Sequence, residues 1–361
     1  MPPARTGVAD YSAALVSALR RHALRRHGSI TVNCGEGDVN LYHLGNNRLH
    51  AEIYAHALRR PGVVVIHDAV LHHFFLGQLP ETSYLDEFEF NYGAATAHLA
   101  ASLWRDRSRS ATDPRYFQFP MLRRVAETAR AVIVHNPGAA AVVRAHAPDS
   151  LIFEIPHLYA PPPLPGYEVE RLRQKLTGGT LSLICGVFGF LRESKRLNAI
   201  LRVFHDFRDA GLRLLVAGEI GSVDLARSLE TELASPRIIR RGYMSDTDFW
   251  RYASAIDVGI NPRFPAAGET SGIAIRMMGL GKPVILSEGL ETSRFPAGSC
   301  LRLTSGPPEE EMLHAYLTWL LDYPEHRHEI GRRAAEHIRA EHSPCRVAES
   351  YWAVLRQCAS D

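Results

Sequence analysis

A chain of 361 residues, 46% hydrophobic and 22% charged, exceeds the usual size of a single core, so two domains are the default expectation. Its 41 lysines and arginines are offset by 39 acidic residues, leaving a formal charge of +2 and a pI near 8.3 without a basic tail; nothing in that balance points to nucleic acid as a partner. No apolar run approaches the roughly 20 residues that span a bilayer, and no charged-then-apolar signal segment opens the chain. A cytoplasmic protein is expected, with peripheral association at the inner face of the membrane left open.

The opening segment, Met1 to Ser12, reads as a Pro/Gly loop. Its Gly7 leads, with Asp10 or Ser12 as cap, into a helix from Tyr11 to Arg26 whose apolar face is Leu15, Val16, Leu19, Ala23 and Leu24. In an α/β domain such a loop and helix normally follow a strand. Two readings stand: a domain that begins with a helix, or a first strand encoded upstream of Met1. Strands are expected at Ser29 to Cys34 and Asp38 to His43, then a helix ending at Leu58. Gly62 to Ile66 is an all-apolar, β-branched run, as expected of a strand buried on both faces of a parallel sheet. It ends in His67 and Asp68, and the carboxyl edge of such a sheet is where ligands bind.

From Phe74 to Ala126 the pattern is helical and aromatic-rich, broken near Pro80 and Pro114. It reads either as an insertion shaping an acceptor pocket or as plain packing helices. Ala131 to Val134 is a second buried strand, again ending in polar residues, His135 and Asn136. A helix from Gly138 to His146 and a strand from Leu151 to Ile155 complete the first half. Pro156, Pro161, Pro162, Pro163 and Pro165 then crowd together, and residues 156–168 read as a linker.

The second half repeats the alternation. Strands are expected at Leu181 to Val187, Leu212 to Ala217, Ile238 to Ile239, Ala255 to Ile260, Val284 to Leu286 and Cys300 to Leu303. Helices are expected at Leu197 to Ala210, Val223 to Ala234, Asp246 to Ala255 with an Asp cap, Ile273 to Met278, Glu309 to Leu321, Arg327 to Glu341 and Pro344 to Gln357. Alternation throughout both halves indicates an α/β fold of two doubly wound parallel-sheet domains facing a cleft. The domains are an N-terminal one at 1–160 and a C-terminal one at 169–343.

Two sets of residues bear on metal chemistry. Five cysteines, Cys34, Cys185, Cys300, Cys345 and Cys358, are scattered without a C-x-x-C pair, which favours buried reduced thiols over a zinc site. Among 18 histidines only His67, His72 and His73 form a tight group. Their spacing puts only some of them on one face and no carboxylate cluster accompanies them, so no metal is expected there.

The stretch Asn261 to Ile285 carries most of the functional signal. A short strand leads into Gly268-Glu269-Thr270-Ser271-Gly272, then a helix, then Gly281-Lys282-Pro283 before the next strand. A strand, a small-residue loop and a helix N-terminus make a cradle for an anion or sugar phosphate, because unpaired N–H groups and the helix dipole favour negative charge.

With this stretch and Phe188-Gly-Phe-Leu-Arg-Glu-Ser-Lys-Arg196, the sequence resembles the family 4 retaining glycosyltransferases of GT-B fold. The resemblance covers nearly the whole chain: the Thr6-Gly7 loop, the polar ends of the Val63 and Val134 strands, the Ser194-Lys195 loop, Ala217-Gly218-Glu219, and Gly268 to Ile285. It implies an N-terminal acceptor domain, a C-terminal nucleotide-sugar domain, a terminal helix at 344–361 that rejoins the first domain, and no metal or other cofactor.

Residue by residue, the resemblance implies that Lys195 contacts the donor diphosphate. Arg192 supplies a second cation in place of the arginine that the family commonly has at the position of Phe190. Gly7 matches the loop glycine that lets backbone approach the diphosphate. His67 and Asp68 stand where the family often places a histidine touching the donor sugar. The family has two glutamates separated by seven residues; alignment on Gly281-Lys282-Pro283 puts Gly268 and Arg276 at those positions, with Glu269 one residue beyond the first. Glu269, Thr270 and the backbone of Ser271 and Gly272 are therefore the expected sugar contacts. Arg276 cannot accept hydrogen bonds from a ribose diol, which leaves the nucleotide open between UDP and GDP types.

The implied activity is retaining transfer of a sugar, of hexosyl type, from a nucleotide sugar to a saccharide, lipid-linked saccharide or other hydroxyl acceptor, as in polysaccharide biosynthesis. Catalytic roles are expected for His67, Asp68, Lys195 and Glu269. Two alternatives from other classes are a sugar-nucleotide epimerase of the same architecture and a non-catalytic sugar-nucleotide-binding protein.

Overall fold

The computed structural model describes residues 7–26, 28–32, 37–179, 183–207 and 211–359. The chain forms two compact units. The first is Met1–Leu158, Pro265–Thr270 and Glu341–Asp361, and the second is Tyr159–Phe264 and Ser271–Ala340. Among the described residues no helix is long and apolar enough to cross a membrane.

The first unit is built on four parallel strands in sequence order: β1 (Leu41–Leu44), β2 (Val63–Ile66), β3 (Ala131–Val134) and β4 (Ile152–Glu154). Every residue of β2 and β3 is buried, and alternation divides them between two cores. Val64, Ile66, Val132 and Val134 pack with the helices between β1 and β4. Val63, Val65, Ala131 and Ile133 pack with the helices Gly7–Leu24 and Pro344–Ala359. The hydroxyls of Tyr11 and Tyr351 meet at 2.9 Å between those two helices, and Arg130 donates to the Cys358 carbonyl at 2.8 Å.

Two expectations are corrected here. The first helix begins by Gly7, four residues before Tyr11, and Ser12 donates from its hydroxyl to the Val8 carbonyl one turn back instead of capping. The part of the Ser29-to-Cys34 strand that is described, through Val32, is irregular, while Asn33 and Cys34 lie outside the described residues. The aromatic segment is helical with breaks, as expected: four helices, His72–Gln78, Glu81–Tyr92, Ala97–Arg105 and Arg123–Thr128, with 3₁₀ turns after the second and the third. Pro80 and Pro114 stand at element starts, where a missing N–H costs nothing.

The second unit holds six parallel strands: β5 (Leu183–Phe188), β6 (Leu212–Ala217), β7 (Ile238–Arg241), β8 (Val258–Asn261), β9 (Val284–Ser287) and β10 (Leu301–Leu303). Their spatial order is β10-β9-β8-β5-β6-β7. From β5 the chain winds toward β6 and β7, and from β8 it winds the other way toward β9 and β10. The β5/β8 junction is therefore the switch point of a doubly wound sheet, where the flanking connections diverge and leave a crevice at the strand carboxyl ends. The helix Asp246–Ala255 is capped by Ser245, whose Oγ accepts from the Asp248 N–H at 3.1 Å, and not by an aspartate.

Candidate functional site

The switch point of the second unit carries Lys195. Strand β5 ends at Phe188 and turns through Gly189 at φ +96, a conformation that favours glycine. Gly218, at the end of β6 with φ +141, lies so close that a Cβ there would stand 1.8 Å from the Gly189 carbonyl oxygen. Bare backbone at both strand ends lets Leu191 and Glu219 continue the pairing, with a 2.8 Å bond from Leu191 N–H to the Glu219 carbonyl. The turn that follows brings Lys195 back under the strand end, 6% exposed. Its Nζ donates to the Phe188 carbonyl at 2.7 Å and to Asn261 Oδ1 at 3.4 Å.

Asn261 is the last residue of β8, on the other side of the switch point. Its Nδ2 donates to Ser271 Oγ at 2.8 Å, and Ser271 caps the helix Gly272–Gly279 by accepting from the Ala274 N–H at 3.2 Å. One hydrogen-bonded run thus ties a buried ammonium to a helix N-terminus. Fixed positive charge and the N-terminal end of a helix both favour an anion, which makes this the anion-directed part of the molecule.

The other residues expected in this region differ in setting. Arg192 is exposed, its guanidinium 5.2 Å from the centre of the Phe190 ring. Arg276 is paired with Asp246 at 2.7 Å and lies 5.2 Å from the ring centres of both Phe249 and Trp250; Trp250 Nε1 also donates to that carboxylate, at 3.1 Å. Arg196, beside Lys195, was not singled out from sequence. It sits in the left-handed region at φ +57 and sends Nε and Nη2 to Glu309 Oε2 at 2.8 and 2.6 Å. Glu309 is 2% exposed, so this partly buried pair holds a backbone conformation that L-residues avoid.

The loop Pro265–Thr270 belongs to the first unit. Gly268 has φ +69, and a Cβ there would stand 2.6 Å from that of Ala69, the residue after Asp68. Asn136, at the end of β3 and 2% exposed, donates from Nδ2 to the Gly268 carbonyl at 2.9 Å and to Thr270 Oγ1 at 2.8 Å. Its Oδ1 caps the helix Pro137–His146 through the Ala139 N–H at 2.7 Å. The Glu269 carboxylate accepts from the Ala267 N–H of its own loop at 2.8 Å. The loop is therefore seated at the carboxyl ends of β2 and β3, with His67 and Asp68 following one strand and Asn136 the other.

His67 is half-buried in a group of rings. Its Nε2 meets His43 Nδ1 at 3.0 Å, and the Tyr11 ring lies 5.0 Å from it, 5.2 Å from His135 and 4.6 Å from His157. Burial pushes the His43 imidazole down to about 3 and His135 to about 4, with neighbouring histidines adding to the effect on His43; His67 is held well below its ordinary value for the same reasons. Burial thus favours the neutral imidazole at His43, His67 and His135. Asp68 Oδ2 accepts from the Asn46 N–H at 2.7 Å. His72 turns instead to the Tyr84 hydroxyl at 2.8 Å and His73 to the Ser110 carbonyl at 3.0 Å, so the sequence triplet disperses. Among the described residues no group of three histidine, cysteine or carboxylate side chains is placed to hold a metal. Gly7 falls in the first turn of its helix, and no described atom lies within 4 Å of a Cβ built on it.

Asn136 and Asn261 went unassigned in the sequence reading, although each follows an apolar run at a strand end. The Asn-Pro step at 136–137 is also a helix-start signal.

No family model matches the chain, and no curated protein matches its sequence. Solved structures do. HepE of Anabaena in complex with UDP-glucose superposes with a TM-score of 0.65 at 13% identity, over 99% of this chain and 96% of that one. WaaG, a glycosyltransferase involved in lipopolysaccharide biosynthesis, gives 0.62 at 12% identity over 97% and 96%. Sucrose-phosphate synthase from Thermosynechococcus elongatus gives 0.62 at 16% identity over 89% and 74%. With two parallel sheets of four and six strands, the chain has the GT-B fold of glycosyltransferases.

Proposed function

We propose that the protein is a retaining glycosyltransferase of the family 4 kind, moving a hexosyl group from a UDP- or GDP-sugar to a hydroxyl of a saccharide or lipid-linked saccharide, without a metal. The observation that carries this reading is the run Lys195–Asn261–Ser271, which fixes an ammonium and a helix N-terminus at one switch point. That combination suits a diphosphate leaving group. Two of the structures with the same fold are named for glycosyltransfer chemistry or a bound UDP-sugar, which supports the same reading.

In this proposal the second unit binds the donor diphosphate, and the first supplies the groups that hold sugar and acceptor hydroxyls. The bond from the sugar C1 to the β-phosphate oxygen breaks as a bond from C1 to the acceptor oxygen forms on the same face. The acceptor proton passes to the departing phosphate oxygen. Lys195 and the N-terminus at Gly272 stabilise the charge growing on that phosphate, with Arg192 as an exposed second cation. Glu269 and Thr270 hold the sugar, and neutral His67 with Asp68 positions hydroxyls, an arrangement that needs hydrogen-bonding groups more than charge. We place the activity in polysaccharide biosynthesis, on the cytoplasmic side of the membrane.

The test is thermal shift against a panel of UDP- and GDP-sugars, followed by nucleotide release with and without saccharide acceptors, with and without EDTA. Acceptor-dependent release, with NMR showing the donor's anomeric configuration retained in the product, is expected. An altered sugar nucleotide formed without acceptor would establish an epimerase, and binding without turnover a sugar-nucleotide-binding protein. Failure of every nucleotide sugar to bind would overturn the donor site itself.

A further inference from the structure

The loop that holds Glu269 is short, glycine-containing and bounded by residues of the other unit, so something in the first unit must hold it. Three observations identify what does. Asn136 is 2% exposed, which makes its two Nδ2 bonds those of a buried amide with both donors used. Those bonds go to the two residues that flank Glu269, the carbonyl of Gly268 and the hydroxyl of Thr270. The same side chain uses its remaining oxygen to cap the helix Pro137–His146, so its orientation is set by secondary structure before the loop arrives.

Gly268 completes the seat. Its positive φ and its approach to Ala69 mean that the loop backbone, not a side chain, lies against the residue following Asp68. A loop pinned on both sides of one residue presents that residue in a single orientation. For a carboxylate that must meet sugar hydroxyls, loss of about 1 Å of placement is enough to cost on the order of 100-fold in rate.

We infer that Asn136 is a positioning residue for Glu269: it touches no substrate, and it sets the geometry of the sugar-contact loop through Gly268 and Thr270. The inference rests on the transferase reading given above for what the loop does, and on the hydrogen bonds alone for what holds it.

Asn136→Asp is the discriminating variant, because its carboxylate still accepts from the Ala139 N–H and keeps the cap, while both N–H donors are lost. Hydrogen exchange of a peptide spanning 265–270, the unfolding temperature and donor kinetics are measured together with wild type, Asn136→Asp and Thr270→Val. The expected result for Asn136→Asp is exchange at least about tenfold faster in that loop, a lower unfolding temperature because a carboxylate replaces a buried amide, and kcat lower by about 10- to 100-fold with donor KM within about threefold. Thr270→Val, which removes one of the two bonds, should fall between in loop exchange, while its kinetics also carry the loss of the Thr270 hydroxyl as a proposed sugar contact. Unchanged exchange in Asn136→Asp overturns the inference, as does faster exchange with unchanged kcat. If the wild type transfers no sugar, the transferase reading fails by itself, while the exchange measurement still decides whether Asn136 holds the loop.

Discussion

The two sheets equip their carboxyl edges in opposite ways. At the switch point of the six-stranded sheet a buried ammonium is fixed by a carbonyl and an amide oxygen, and a capped helix N-terminus is tied to the same network. At the edge of the four-stranded sheet imidazoles pack around Tyr11, with burial favouring the neutral forms of His43, His67 and His135, and the Asp68 carboxylate follows His67 and accepts from the Asn46 N–H. The first arrangement stabilises negative charge; the second offers hydrogen-bond donors and acceptors in place of a fixed cation. A transferase needs both, one for the leaving phosphate and one for sugar hydroxyls. On the proposed function, charge chemistry falls to the second unit and hydroxyl recognition to the first, and the segment 261–272 has residues in each.

Lys195 is where this division of roles is most exposed to test. Lys195→Ala should lower kcat by about 100- to 1,000-fold in a nucleotide-release assay, the usual cost of removing one preorganised electrostatic group, with the fold intact by circular dichroism. Turnover within a few-fold of wild type would remove the charge role from the second unit. His67→Ala should cost less, about 10- to 100-fold, because a neutral hydrogen-bonding group is lost and not a charge. If its effect exceeds that of Lys195→Ala, the assignment of charge and hydroxyl chemistry is reversed.

The neutral cluster makes a pH prediction. The folded values of His43, His67 and His135 lie below the ordinary 6.5, so between them the unfolded chain binds more protons than the folded one. Stability from keeping the cluster neutral is fully present above about pH 6.5 and is lost as pH falls toward about 4 and then 3, at up to about 1.4 kcal/mol per pH unit for each histidine. Hydrogen exchange should show β2 and β3 losing protection across that window. Protection that holds steady from pH 7 to 4 would mean that the rings are already charged or solvated.

The smallest effect is expected at Arg276. Its guanidinium is committed to Asp246 and to the faces of Phe249 and Trp250, and a partly exposed pair of this kind contributes about 1 kcal/mol or less. Arg276→Ala should shift nucleotide affinity by no more than about threefold in calorimetry and lower the unfolding temperature only slightly. A tenfold or greater loss of affinity would make Arg276 a direct nucleotide ligand.

Much of the fold was legible because it rests on local pattern. The continuous apolar runs ending at Ile66 and Val134 read as buried strands, and the runs Leu181 to Val187 and Leu212 to Ala217 as strands; strands stand at Val63–Ile66, Ala131–Val134, Leu183–Phe188 and Leu212–Ala217. The same logic misled at Ser29 to Val32, where a short run without a neighbour in the sheet adopts no regular structure. It also misassigned two helix starts, because Ser, Thr and Asp all serve as caps and only backbone geometry chooses among adjacent candidates. Lys195 and the 268–272 loop stand out in the sequence as residue types suited to phosphate; in the structure Lys195 and Ser271 share one hydrogen-bonded run, while Gly268 to Thr270 belong to the first unit. The tight histidine group in sequence was a poor guide: His72 and His73 turn to other partners, while His43 and His135, far from His67 along the chain, come beside it.

The sequence by itself determined the alternation of strands and helices, the buried strands and the chemical character of the loops, since all of these follow from periodicity and composition over a few residues. Only the tertiary structure decided which polar side chains meet. Asn136 reaches Thr270 across 134 positions, Lys195 reaches Asn261 across 66, and Arg196 reaches Glu309 across 113. No local pattern encodes such pairs. Lys195 and Asn261 meet because β5 and β8, distant in sequence, lie side by side in one sheet, while the other two pairs join a strand end or turn to a loop or a helix start; bonding between such groups offsets the cost of burying them.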